Sequence, residues 1–187
     1  MVDVQERGSR ARTRQAIIAA AIDVLGANPS ASLGEIATAA DVGRTTLHRY
    51  FAERSDLLKA INEEGLARLD QATLRARLDQ GTAADALGRL CAEYFDLGGL
   101  LSLIFTEPQL VDTTAWDRSD CGDVAFAAVI ERGHRDGTVD PDLPVTWVQY
   151  LLWSQLYAGW SYTAETGASR HEALRLLVRT FVGSVRP

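Results

Sequence analysis

Lysine occurs once in 187 residues and cysteine twice, whereas arginine occurs eighteen times. Cys91 and Cys121 are far apart and have no metal-ligand neighbours, which excludes a disulfide framework and a zinc site and fits a reducing compartment. No stretch alternates apolar and polar residues with period two, and β-branched residues are not clustered, so a sheet has no sequence basis. No apolar run reaches the roughly 18 residues that span a bilayer, and the N-terminus lacks the apolar centre of a signal peptide. Internal repeats, low-complexity segments and a glycine-rich phosphate loop after a strand are also missing. The three histidines, His48, His134 and His171, lie in unrelated segments without partner motifs. Catalysis would require Cys91 or Cys121 to meet His134 in space. The expectation is a soluble, cytoplasmic helical protein that is not an enzyme and holds no metal or cofactor.

What is present begins with charge. The net charge is -6, not that of a non-specific nucleic-acid coat, but it is unevenly placed. Residues 1–59 carry 8 Arg/Lys against 7 Asp/Glu, and the remainder 11 against 18. A near-neutral head with basic faces therefore precedes an acidic body that a nucleic-acid duplex would repel.

The stretch Ser32–Phe51, SLGEIATAADVGRTTLHRYF, organises that head. Ser32 and Glu35 have the S-x-x-E spacing of a capping box, which starts a helix near Leu33. Leu33, Ile36, Ala37 and Ala40 give it one apolar stripe. Asp41-Val42-Gly43 then interrupts the pattern, since Asp tolerates and Gly accepts the left-handed backbone of a tight turn. A second helix, Arg44–Tyr50, turns Leu47 and Phe51 inward and leaves a polar outer face. This is a helix-turn-helix, with Arg44, Thr45, Thr46, His48, Arg49 and Tyr50 as its candidate DNA-binding residues. Arginine can bond both acceptors of a guanine edge, and threonine can offer a hydroxyl or meet a thymine methyl. Two short crossed helices with a polar face also occur in proteins that never touch DNA.

The residues around the motif add to that reading. Thr13-Arg14-Gln15-Ala16-Ile17-Ile18 with Ala20-Ala21, then Glu35-Ile36-Ala37, Ala40, Val42, Leu47, Tyr50-Phe51, Arg54 and Asp56-Leu57-Leu58 resemble the TetR (tetracycline repressor) family of bacterial transcriptional regulators. The resemblance covers about the first third of the chain. Three positions depart from the family pattern: Asp41 where Gly is common, Gly43 where Ser caps the recognition helix, and His48 where Tyr is common. Gly43 caps less well than Ser, and His48 would give DNA binding some pH dependence near neutrality. By position, the resemblance gives Arg54 a contact with the DNA backbone. It also implies that the helix beginning there tilts as a lever when DNA is released.

The remaining segments read as helices in succession. Met1–Ala11 is polar, basic and without period, either a flexible arm that lies along phosphate or enters a minor groove, or a solvated terminus. A first helix spans Arg12–Gly26, and another runs from Arg54 to about Leu78. Further helices are expected at Ala83–Leu97, ended by Gly98-Gly99, and at Trp116–Asp136, with Gly137 as C-cap; Leu100–Phe105 is a short apolar segment. The sequence predicts an all-α chain of about nine helices. Residues 1–53 form the DNA-binding head and residues 54–187 a ligand-binding and dimerisation body.

Helix 147–164 holds three of the four tryptophans and is apolar almost all round, so two surfaces must cover it. The last helix opens with a second capping box, Ser169 with Glu172. The resemblance implies that the helices at 144–164 and 170–185 pair with their copies as a homodimer; completing one monomeric core is the plainer alternative. Tyr94, Phe105, Trp116, Phe126, Trp147 and Tyr150 are candidates to line the inducer pocket that the resemblance implies, and otherwise fill the core. Glu93, Asp96, Glu107, Asp120 and Asp123 would favour a cationic ligand if they are more than solvated faces. Two functions remain open: a repressor of a palindromic operator that a small hydrophobic ligand releases, and a DNA-bound adaptor whose body binds another protein.

Overall fold

The computed structural model describes residues 2–106 and 120–187, with side chains at 8–104 and 123–187. Among the described residues the regular structure is entirely α-helical, in nine helices. They are α1 (Val2–Ala27), α2 (Leu33–Ala39), α3 (Arg44–Tyr50), α4 (Arg54–Ala76), α5 (Ala83–Phe95), α6 (Gly98–Thr106), α7 (Asp120–Asp136), α8 (Val145–Thr166) and α9 (Arg170–Ser184). The described residues of Met1–Gly65 and Gly99–Trp116 make one compact unit, and those of Leu66–Gly98 and Asp117–Pro187 a second.

In the first unit α1 buries Ile17, Ile18, Ala21 and Leu25, α2 buries Ile36 and Ala37, and α3 buries Leu47, with Phe51 following. Each fully buried Ile or Leu contributes about 1.5–3 kcal/mol, so this small core outweighs the poor intrinsic stability of two seven-residue helices. The Arg14 guanidinium lies 5.5 Å from the Phe51 ring centre and 3.8 Å from the Glu63 carboxylate, tying α1 to α4. The unit extends past residue 53 because Leu57 and Ile61 of α4 are fully buried. Gly65 closes it: a Cβ there would sit 2.5 Å from Ile104 Cδ1, so the bare backbone admits α6. Lys59, the single lysine, stands exposed on α4.

The second unit is built around α5, which buries Ala83, Ala86, Leu87, Leu90, Cys91, Tyr94 and Phe95. Burial pushes the Cys91 thiol up to about 12, so it is an inert packing group. The Trp160 indole donates to the Phe95 carbonyl at 3.0 Å, and a Cβ on Gly98 would meet that ring at 2.6 Å. Arg89 closes the end of α4, donating to the carbonyls of Ala76, Arg77 and Gln80 at 2.8, 2.8 and 2.6 Å. Gly137 has φ 72°, and the next two amides both reach the Gly133 carbonyl, which makes it the expected cap.

Three expectations change. α1 reaches back to Val2 rather than beginning at Arg12, because an Arg-rich helix that is polar on every side has no apolar period to reveal it. Gly98-Gly99 does not end α5, which stops at Phe95 with Asp96 as its cap; Gly98 instead opens α6, where close contact with Trp160 requires it. At α9 only half of the capping box forms. Ser169 Oγ accepts from the Glu172 amide at 3.2 Å, while the Glu172 carboxylate accepts from the Tyr162 hydroxyl. The expected 116–119 portion of the helix ending at Asp136 lies outside the described residues.

Candidate functional site

The start of α2 is held by a complete capping box. The Ser32 amide donates to Glu35 Oε2 at 2.7 Å, and Ser32 Oγ accepts from the Glu35 amide at 3.2 Å. The Ser32 amide first, and then the Ser32 hydroxyl donating to Oε2 at 2.8 Å, hold the Glu35 carboxyl below its ordinary range. At the other end Asp41 takes φ 52°, and the Val42 amide reaches back to the Ala37 carbonyl at 3.0 Å. That left-handed residue turns the chain into α3, as the Asp-Val-Gly sequence requires.

α3 is anchored by Leu47, which is fully buried, and by Phe51. Arg44, Thr45, His48 and Arg49 are exposed, and Thr46 and Tyr50 are half-buried. All six candidate side chains are therefore at least partly open to solvent, and only Leu47 of the helix is buried. His48 Nδ1 lies 3.3 Å from the Ala52 carbonyl and donates to it in the tautomer that carries a proton there. The Arg49 guanidinium lies 5.7 Å from the Tyr50 ring centre, a cation–π contact. Gly43 caps the helix without a side-chain hydrogen bond.

Two concavities border this face. One, about 370 Å³, is lined by Ser32, Leu33, Gly34, Arg44, Leu47 and His48. The other, about 490 Å³, joins Ser9, Arg10 and Thr13 of α1 to Thr46, Arg49 and Tyr50. Thr13 opens the stretch that carries the family resemblance, while for Ser9 and Arg10 the basic composition of the arm was the available signal. Arg54 goes elsewhere. Its two terminal nitrogens donate to the carbonyls of Ala31 at 2.6 Å and Pro29 at 2.5 Å, so the guanidinium braces the loop between α1 and α2.

In the second unit Tyr94 is buried and stacks on Trp153, ring centres 5.4 Å apart and planes 13° from parallel. Its hydroxyl shares a 2.7 Å hydrogen bond with Thr73, which itself donates to the Leu69 carbonyl at 2.9 Å. Burial chiefly, with the nearby charges of Asp123 and Asp70, raises the Tyr94 pKa against the lowering effect of the Thr73 bond. Beside Thr73 a groove of about 420 Å³ is lined by Asp70, Leu74, Arg77, Leu78, Asp79 and Ala125. Phe126 is buried, but Trp147 and Tyr150 are 58% and 72% exposed. The helical register explains this: α8 buries Val148, Leu152, Leu156 and Trp160, which places Trp147 and Tyr150 on the opposite side. Phe105 and Trp116 lie outside the described side chains. Trp153, not among the sequence candidates, is the aromatic that meets Tyr94.

Residues 17–61 match the family described as bacterial regulatory proteins, tetR family. The chain is 35% identical over 181 residues to the HTH-type transcriptional repressor LfrR of Mycolicibacterium smegmatis, covering 96% of this chain and 94% of that protein. Its fold superposes on the crystal structure of the TetR-like transcriptional regulator LfrR from Mycobacterium smegmatis in complex with proflavine. There the TM-score is 0.77 at 33% identity, over 94% of this chain and 98% of that one. The transcriptional regulator FadR from Bacillus subtilis in complex with stearoyl-CoA shares the fold, with a TM-score of 0.68 at 16% identity, over 92% and 99% of the chains.

Proposed function

From the premise that this chain belongs to the TetR (tetracycline repressor) family of bacterial transcriptional regulators, we propose that it represses from a palindromic operator as a homodimer. We propose further that a planar aromatic cation releases it. The observation that carries the DNA-binding part is the exposed outer face of α3, fixed by a capped α2 and an Asp41 turn. Thr45, Thr46 and Arg49 read base edges, with Arg44, His48 and Tyr50 completing the contact surface. A single recognition helix spans only a few base pairs, so two copies related by a two-fold axis read an inverted repeat. The outer face of α8, carrying exposed Trp147, Tyr150 and Tyr157, supports its pairing with a second copy.

The ligand class rests on the repressor LfrR, whose proflavine complex this chain resembles in fold, and on chemistry within the second unit. Trp153, half-buried and stacked on buried Tyr94, is the aromatic surface on offer, while Asp70 and Asp123 are close enough to act on Tyr94 electrostatically. Aromatic faces and carboxylates together favour a flat cation. α4 connects the events mechanically, because one continuous helix carries Arg54 at its start and Asp70 and Thr73 near its end. The adaptor alternative has no comparable support, since the relatives are regulators and one is known with a small molecule bound.

Selection of duplexes from a random pool at physiological salt, with sizing of the complex, tests the first part. Enrichment of an inverted repeat bound by two chains is expected; no enrichment overturns it. Proflavine titrated onto that complex should release the duplex from the wild type, and release without proflavine dependence would remove the ligand proposal. Arg49→Ala should relax preference at one or two base positions, a loss of about 1–3 kcal/mol of discrimination.

A further inference from the structure

The guanidinium of Arg44 lies against Gly34. A Cβ built on Gly34 would stand 2.9 Å from Nη2, 3.0 Å from Nε and 3.1 Å from Cζ of Arg44, so the plane of the side chain covers the bare Cα. Glycine is a poor choice inside a seven-residue helix, and arginine at the first position of α3 opposes the helix dipole. These two locally unfavourable residues meet in one contact. Among the described residues Arg44 is found in no hydrogen bond or ion pair, and the Ser32 amide and hydroxyl both donate to Glu35 Oε2. Among the described residues the guanidinium is thus located by shape, with its donors available to a ligand.

We propose that Gly34 is a positioning residue: by lacking a side chain it lays Arg44 across the first turn of α2, where the guanidinium meets a DNA phosphate and not a base edge. The concavity containing both residues supports this direction. His48 lines it with Arg44, an imidazole beside a guanidinium, which suits an anionic oxygen, while the Ser32 hydroxyl there is already donated to Glu35. An arginine held flat on α2 is not extended along the outer face of α3, where base readout requires it. Base preference then belongs to Thr45, Thr46 and Arg49. This inference rests on the DNA-binding reading and adds to it a division of labour within α3.

The test is a double-mutant cycle of Gly34→Ala and Arg44→Ala in the full-length protein, on the operator enriched by the wild type and on a scrambled duplex, across a salt series. Thermal midpoints accompany each variant. Arg44→Ala should weaken both duplexes by a similar factor, roughly tenfold, and reduce the salt slope by about 0.9. Gly34→Ala should move the guanidinium, weaken binding in the same sequence-independent way, and leave the thermal midpoint unchanged or higher. With Arg44 already removed, Gly34→Ala should have no further effect on binding. A changed base preference in Arg44→Ala overturns the phosphate assignment. Gly34→Ala that is silent alone, or additive with Arg44→Ala, overturns the positioning role. Failure of the wild type to enrich any operator would instead refute the underlying DNA-binding reading.

Discussion

Gly43 stands at the N-cap of α3 in extended conformation and offers the helix no acceptor. The space beside it is open, since the nearest atom to a Cβ would be Thr46 Oγ1 at 4.0 Å. Gly43→Ser should therefore stabilise the protein by a few tenths of a kcal/mol, about 0.3, seen as a higher urea midpoint with an unchanged slope. Glu35 makes a different residue-scale prediction. Its folded carboxyl titrates below the ordinary range, so its stabilisation is complete above the unfolded pKa and disappears as pH falls through the folded one. The stability gap between wild type and Glu35→Gln should be widest near neutrality and close below about pH 4. A gap independent of pH would mean that the charge of Glu35 contributes nothing to the cap.

The loop between α1 and α2 depends on an element that begins more than twenty residues later, because Arg54 at the head of α4 binds its carbonyls. Arg54→Met should lower stability by about 1–3 kcal/mol while leaving the salt slope of DNA binding unchanged. A slope reduced by about 0.9 would instead give Arg54 the phosphate role implied by resemblance. This residue marks where sequence reading stops. α2, the turn and α3 were legible because their signals are local: Ser32 and Glu35 cap within one turn, Asp41 accepts φ 52° by its own chemistry, and Leu47 and Phe51 share a face. Arg54 reaching Pro29, Gly34 beneath Arg44, and Trp153 on Tyr94 join segments whose separation follows only from packing. The outward turn of Trp147 and Tyr150 was half legible. An all-round apolar helix announces two covered faces but not which residues belong to each.

At the scale of the whole molecule, the acidic body and near-neutral head set where a duplex can approach, and α8 sets what the body must cover. Trp147→Lys with Tyr150→Lys replaces two exposed aromatics without touching the buried row Val148, Leu152, Leu156 and Trp160. Sedimentation should then report single chains of unchanged helicity, and operator affinity should collapse; a dimer surviving both changes would place the interface elsewhere. The sparse lysine has a practical side at this scale. Lys59 is exposed on α4, and every other basic side chain apart from the three histidines is an arginine. An amine-directed dye, once the α-amino group is blocked, marks each molecule at one address on the helix that begins in the head and ends in the body. Every labelled copy is then chemically the same, and a single-molecule record follows one helix instead of averaging over many attachment points.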